Sequence, residues 1–210
     1  MSFSSRTLKD VSRFSEDAYF CVDVETDGPI PGEFSLLSFA CVVAGFHDGR
    51  RFQAPEKYDD GFYAELRPVS DRFEEAAMKV NGLDRSKLIR DGLNPEDALK
   101  QLSSWIWEHS GGRRPIMVAS PAGFDWSFMH WYFVRYLGES PFGYSGLFDV
   151  KTALAVRFDR PVAKSGRKNV PAWLRSELPH THNALDDAKE QARIFCNLMD
   201  WRGLTSTAAF

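Results

Sequence analysis

Cysteine is scarce, with three in 210 residues. Cys21, Cys41 and Cys196 stand singly in apolar stretches, which excludes a disulfide framework and the paired spacing of a zinc site. They read as reduced core residues of a cytoplasmic protein. Long hydrophobic runs are also missing. No stretch approaches the roughly 20 apolar residues of a membrane span, and Met1–Asp17 is too polar for a secretory signal, so no membrane partner is expected. Repeats, linkers and low-complexity segments are absent. Neither charge dominates: 26 basic against 29 acidic residues give −3, with no global sign of nucleic-acid binding. What remains, 43% hydrophobic and 26% charged, is ordinary for a soluble globular chain. A chain of this length buries one good core. One domain is expected over residues 18–202, with a polar arm over 1–17, a helical turn around Leu8–Phe14 and a tail over 203–210.

The stretch Ala18–Gly28 organises the rest. It is apolar or aromatic through Val24 apart from Asp23, as in a strand buried on both faces. An unpaired carboxylate in that setting is costly. Glu25 projects from the same face, about 6.5–7 Å further along at about 3.3 Å per residue. Two carboxylates at a strand's end want a cation, and hard oxygen donors favour Mg²⁺ or Mn²⁺. The bland alternative is an acidic pair opening the turn Thr26-Asp27-Gly28.

After the Gly28–Gly32 turn, Phe34–Phe46 reads as a second strand, and Arg51–Gln53 with Phe62–Arg67 as a third, in an antiparallel meander. Asp71 caps a helix to Val80 that Asn81-Gly82 stops. A longer helix begins near Pro95 and ends at Gly111-Gly112. Ile116–Ala119 is a short buried strand, Phe124–Leu137 a helix, Gly143–Val150 a fifth strand and Lys151–Phe158 a helix. Asn183–Trp201 is the last helix. This order predicts an α/β fold with a mixed sheet flanked by helices.

Asp125 follows the Ile116–Ala119 strand in the first turn of a helix. The helix dipole alone favours an acid there, but strand-to-helix junctions at a sheet's carboxyl edge are also where α/β sites assemble. In the last helix, about 100° per residue puts Ala184, Ala188, Gln191, Phe195, Leu198 and Met199 on one face. Asp187 falls at its edge. Asp186, Glu190 and Arg193 point to solvent. His182 reaches Asp187 only from the loop before the helix, where Pro179 and Asn183 place it; otherwise it is a surface-loop histidine.

Asp-x-Glu on the first strand, Asp125 after a later strand and His-x4-Asp near the C-terminus together resemble the DEDDh 3′→5′ exonucleases. That superfamily includes RNase T, oligoribonuclease and proofreading exonucleases, and the resemblance runs from about Ala18 to Met199. It implies a ribonuclease H-like fold with a five-stranded mixed sheet. It further implies metal-dependent hydrolysis of single-stranded RNA or DNA from the 3′ end, releasing nucleoside monophosphates. Two Mg²⁺ or Mn²⁺ ions would be held by Asp23, Glu25, Asp125 and Asp187, with Glu25 and Asp187 on the water-bearing ion and His182 as general base. Two departures stand out. Ser120-Pro121 replaces a common His-Asn, and Thr26-Asp27-Gly28 replaces Thr-Thr-Gly. Thr26 would meet the terminal 3′-hydroxyl, and Phe34 or Leu37 would wedge under the last base.

Between Arg157 and Arg175 six basic residues face Asp159 alone, a local balance of +5. Such a run is usually a solvated loop. Within it, Arg167 and Lys168, between Gly166 and Asn169, are placed to meet phosphates near His182. Two divalent ions would move the net charge from −3 to +1, so overall acidity does not exclude a polyanion. Two other readings stay open. One is an inactive ribonuclease H-like nucleic-acid-binding module, which would have no need of five costly polar residues. The other is a small-molecule phosphodiesterase. Phe124–Leu137 is apolar on two sides, so its second side needs an intramolecular cover or a partner. RNase T and oligoribonuclease are homodimers, which favours a homodimer.

Overall fold

The computed structural model describes residues 14–201. The turn expected around Leu8–Phe14 falls almost wholly outside the described residues, as does the 203–210 tail. Strand β1 (Asp17–Thr26) lies at the centre of a mixed sheet. It pairs antiparallel with β2 (Leu36–His47). The short β3 (Phe52–Gln53) and β4 (Gly61–Glu65) pair antiparallel with opposite halves of β2. On the other side β1 runs parallel to β5 (Arg114–Ala119), and β6 (Leu147–Asp149) runs parallel to β5. The sheet has six strands, because the expected third strand is two pieces. Pro55, between them, has no N–H to donate to a ladder. The fifth expected strand is shortened to β6 because Gly143 and Gly146 donate to Ser140 and Phe142 carbonyls in a turn.

The helices are α1 (Glu75–Asn81), α2 (Arg85–Asp91), α3 (Pro95–Ser110), α4 (Ala122–Leu137), α5 (Val150–Arg157) and α6 (Ala184–Asp200). Helix α1 starts at Glu75 rather than near Asp71, and Gly82 ends it in the left-handed conformation that glycine tolerates. The sequence reading has no counterpart of α2, which Asp84 caps by accepting the Lys87 N–H. Asn94 and Asn183 cap α3 and α6. The basic segment folds into 3-10 turns at Val162–Lys164, Arg167–Asn169 and Ala172–Leu174.

The alternation of β1 divides the core. Ala18, Phe20, Val22 and Val24 pack with Leu99, Leu102 and Ile106 of α3 and with Phe128, Met129 and Tyr132 of α4. Tyr19 and Cys21 face Val150 and Leu154 of α5 and Ala188 and Phe195 of α6. Full burial of a side chain such as Phe20 or Phe195 is worth roughly 1.5–3 kcal/mol. That apolar majority lets the same strand end in two acids. Asp23 and Glu25 continue the second face, so they point towards α6. The second apolar side of α4 has an intramolecular cover: Phe133 is fully buried, its ring centroid 6.2 Å from that of Phe142. Among the described residues, no helix is long and apolar enough to cross a membrane.

Candidate active site

Strands β1 and β5 stay in register from Asp17–Arg114 to Cys21–Val118, then part. Past that point the backbone of β1 must find other partners. Val24 N–H donates to Asp125 Oδ1 at 3.2 Å. From α6, Gln191 Nε2 donates to Val22 O at 3.1 Å and to Val118 O at 3.3 Å, bridging both strands. The opening lies at the carboxyl ends of two parallel strands, where α/β folds build sites.

Three expected acids meet there. Ligand atoms of Asp23, Glu25 and Asp187 all lie within 4.8 Å of one another. Asp187 is 4% exposed in the first turn of α6, and its carboxylate accepts Thr181 N–H at 2.8 Å and His182 N–H at 3.1 Å. Asp186 is exposed, as its angle on the helix requires. Asp125 borders the cluster from α4, turned to the backbone of β1. Behind it, Asp149 accepts the N–H groups of Ala122 and Thr152, each at 2.6 Å, and so caps the starts of both α4 and α5.

These acids resist ionising together. Burial pushes Asp23 well above the usual carboxylate range, and the charges of Asp125, Glu25, Asp187 and Glu190 add to it. Burial, then Asp187 and Asp125, raises Glu25 to about 8. Burial raises Asp125 to about 7 against the pull of backbone N–H groups, with Asp149 adding repulsion. A cluster of hard oxygen donors in this condition fits a divalent cation such as Mg²⁺ or Mn²⁺.

Two histidines approach Asp187. His182 lies in the loop before α6 with a positive φ of 59°, and its ring centroid is 4.6 Å from that of His180. Nitrogens of both and a carboxylate oxygen of Asp187 lie within 4.8 Å of one another. His180, unassigned by the sequence reading, has Nδ1 3.0 Å from Asp187 Oδ1 and 3.2 Å from Glu190 Oε2. Glu190 corrects the expected solvent face: it is buried, and Arg167 Nη1 sits 3.1 Å from its Oε1. The Arg167–Asn169 turn covers that side of α6, which no helical wheel contains. Arg167, His180, Asp187, Glu190, Gln191, Asp23 and Ser120 share one cavity of about 50 Å³. Ser120, one of the two residues that depart from His-Asn, lines this cavity together with Asp23. Lys168 is exposed.

The turn after β1 holds the remaining candidates. Thr26 Oγ1 donates to Gly28 O at 2.9 Å, and Asn81 Nδ2 donates to Thr26 O at 3.0 Å. Asp27, the departure from Thr-Thr-Gly, is fully buried; it accepts Ser35 N–H at 2.5 Å and Arg85 Nε at 3.1 Å. Phe34 lies against Gly28 so closely that a Cβ there would be 2.1 Å from its ring. Phe34 is 7% exposed and Leu37 is fully buried. His180, Glu190 and Asp149 are the residues that sequence reasoning missed; only His180 had a signal, its closeness to His182.

The sequence pattern of the 3′-5′ exoribonuclease Rv2179c-like domain matches residues 18–199. The chain belongs to this family. It is 36% identical over 184 residues to the 3′-5′ DNA exonuclease Cap18 of Escherichia coli, covering 87% of this chain and 92% of that protein. It is 28% identical over 196 residues to ribonuclease T of Hahella chejuensis, covering 87% and 84%. The fold resembles that of the nuclease domain of 3′hExo, a DEDDh family member bound to rAMP. That match has a TM-score of 0.66 and 14% identity and covers 89% of this chain and 92% of the other. The Rv2179c-like chain is therefore a hydrolase of the 3′-5′ exonuclease class with a ribonuclease H-like fold. Its acidic cluster is a set of oxygen donors of the kind that divalent cations take.

Proposed function

We propose that this cytoplasmic protein removes nucleotides from the 3′ end of single-stranded nucleic acid as nucleoside monophosphates. Asp23, Glu25, Asp125 and Asp187 would hold two Mg²⁺ or Mn²⁺ ions. The observation that carries the reading is the convergence of Asp23, Glu25 and Asp187 within 4.8 Å where β1 and β5 part. The ions, when bound, supply an activated water and stabilise the leaving oxygen. His182, suspended beside Asp187 by its own backbone N–H, would accept the water's proton, the general-base task that histidine takes most often. Thr26 meets the terminal 3′-hydroxyl, Phe34 or Leu37 wedges under the last base, and Arg167 and Lys168 meet phosphates of the strand. Similarity to Cap18, named a DNA exonuclease, favours DNA over RNA. The domain boundaries at 18 and 202 belong to the same reading.

A second copy of the chain is proposed to cover the solvent side of α4. There Trp126, His130, Trp131, Val134 and Arg135 line a shallow groove of about 470 Å³. Light scattering giving one chain's 23.9 kDa would reject the dimer. The function is tested by incubating matched DNA and RNA oligomers, labelled at the 5′ end, with Mg²⁺, with Mn²⁺ and with EDTA. A ladder of shortening products from the 3′ end in the metal lanes is expected, faster for DNA. Intact oligomers in every lane would overturn the proposal.

A further inference from the structure

Glu190 has no place in the reaction as proposed, yet both of its carboxylate oxygens meet side chains at the site. Its side chain is 9% exposed and lies one helical turn beyond Asp187. Oε1 accepts Arg167 Nη1 at 3.1 Å, and Oε2 lies 3.2 Å from His180 Nδ1. All three side chains line the cavity that also contains Asp23 and Asp187.

A merely structural ion pair accounts poorly for this placement. Burying a further carboxylate beside Asp23 and Asp187 adds like charge where it is least tolerated. Serving as one more metal ligand also fits poorly, because both oxygens of Glu190 are already turned to a guanidinium and an imidazole. The arrangement acts on its partners instead. Arg167 is 44% exposed, and among the described residues only Nη1 is engaged, leaving Nε and Nη2 for another acceptor. A guanidinium anchored at one nitrogen with an open donor edge is suited to paired oxygens of a phosphate. Lysine, a point charge, cannot present that edge.

We propose that Glu190 is a positioning residue that holds Arg167 at the rim of the carboxylate cluster, so that the open guanidinium edge binds the non-bridging oxygens of the scissile phosphate. This rests on the exonuclease reading above. The ligand class is a phosphodiester at the 3′ end of a strand. Arg167, which lines the same cavity as Asp23 and Asp187, then neutralises phosphate charge, and Glu190 sets its direction.

The test compares wild type, Arg167→Ala, Arg167→Lys, Glu190→Gln and the double variant Arg167→Ala/Glu190→Gln. A fluorescent oligothymidylate is bound with Ca²⁺ in place of Mg²⁺, KM and kcat are measured with Mg²⁺, and Mn²⁺ binding is followed by calorimetry. Arg167→Ala is expected to weaken oligonucleotide binding and raise KM by about 10–100-fold, the usual range for a lost charge-assisted hydrogen bond. Arg167→Lys should not rescue it. Glu190→Gln should move KM in the same direction, the double variant should be no worse than Arg167→Ala, and Mn²⁺ affinity should stay within about 2-fold throughout. Wild-type binding and KM in Glu190→Gln, additive defects in the double variant, or a tenfold loss of Mn²⁺ affinity on Glu190→Gln would each overturn the proposal. Failure of the wild type to hydrolyse any oligomer would strike the exonuclease reading instead, while the binding measurement still decides the roles of Arg167 and Glu190.

Discussion

Asp125 accepts the backbone N–H of Val24 at 3.2 Å, across 101 positions of sequence. The contact exists because β5 leaves β1 after Cys21, so the Val24 N–H has no β5 partner. One side chain thereby closes the sheet and borders the acidic cluster. The two roles separate by substitution. Asp125→Asn keeps an oxygen for Val24 but removes the charge, so it should fold normally and lose hydrolysis. Asp125→Ala leaves a buried amide unsatisfied and should also cost about 1–3 kcal/mol of stability. Urea unfolding of both variants, with activity measured in parallel, checks this; equal stability of the two would show that the Val24 contact contributes nothing.

In the proposed reaction His182 acts on a proton and is not an ion ligand. His182→Ala should lose about 10²–10⁴-fold in rate, the usual worth of general-base help. Mn²⁺ affinity should change little. Wild-type rates across pH 6–9 would reject the role, and a large loss of Mn²⁺ affinity would make His182 a ligand instead.

The raised carboxylates fix a pH dependence. Glu25 at about 8 and Asp125 at about 7 hold protons in the folded, metal-free protein that the unfolded chain releases near pH 4. Between those limits the native state binds more protons than the unfolded state. Stability therefore falls as pH rises through the window, and Asp23, also raised, acts in the same direction. Divalent ions stabilise the ionised native form, so Mn²⁺ should raise the melting temperature more at pH 8 than at pH 5, where protons compete. Thermal melts of the metal-free protein that hold steady or rise from pH 5 to 8 would contradict the account, as would a fall that persists unchanged in Glu25→Gln/Asp125→Asn.

Much of this was legible in the sequence wherever local geometry decides. The two-residue period of a strand puts Asp23 and Glu25 on one face, and 100° steps along α6 separate Asp187 from Asp186. The same wheel fails for Glu190. It counts only the helix and its sheet, whereas the Arg167–Asn169 turn lies over the far side, and Asn197 further ties Leu174 to α6 through a 3.2 Å hydrogen bond. The division of the third strand into β3 and β4 was likewise hidden, because hydrophobic alternation marks a strand without saying which half of β2 it joins. Asp149 left no signal, since capping two helices at once depends on where distant segments end.

Asp27 carries the last prediction. It is fully buried beside Thr26, with Ser35 N–H on one oxygen and Arg85 Nε on the other. Arg85 also donates to the Ser70 carbonyl and lies 5.1 Å from the Phe73 ring centroid, so the pair ties the turn after β1 to α2 and to the segment before α1. Arg85→Ala strands a buried carboxylate and should cost about 3–5 kcal/mol. Asp27→Asn/Arg85→Leu removes both charges and keeps apolar volume, so it should recover much of that loss. Thr26 and Phe34 flank this turn, and its loosening in Arg85→Ala should raise KM while Mn²⁺ affinity, proposed to rest on Asp23, Glu25, Asp125 and Asp187, holds. Urea unfolding and steady-state kinetics of the two variants check both statements. A double variant less stable than Arg85→Ala would show that the pair contributes more than the relief of a stranded charge.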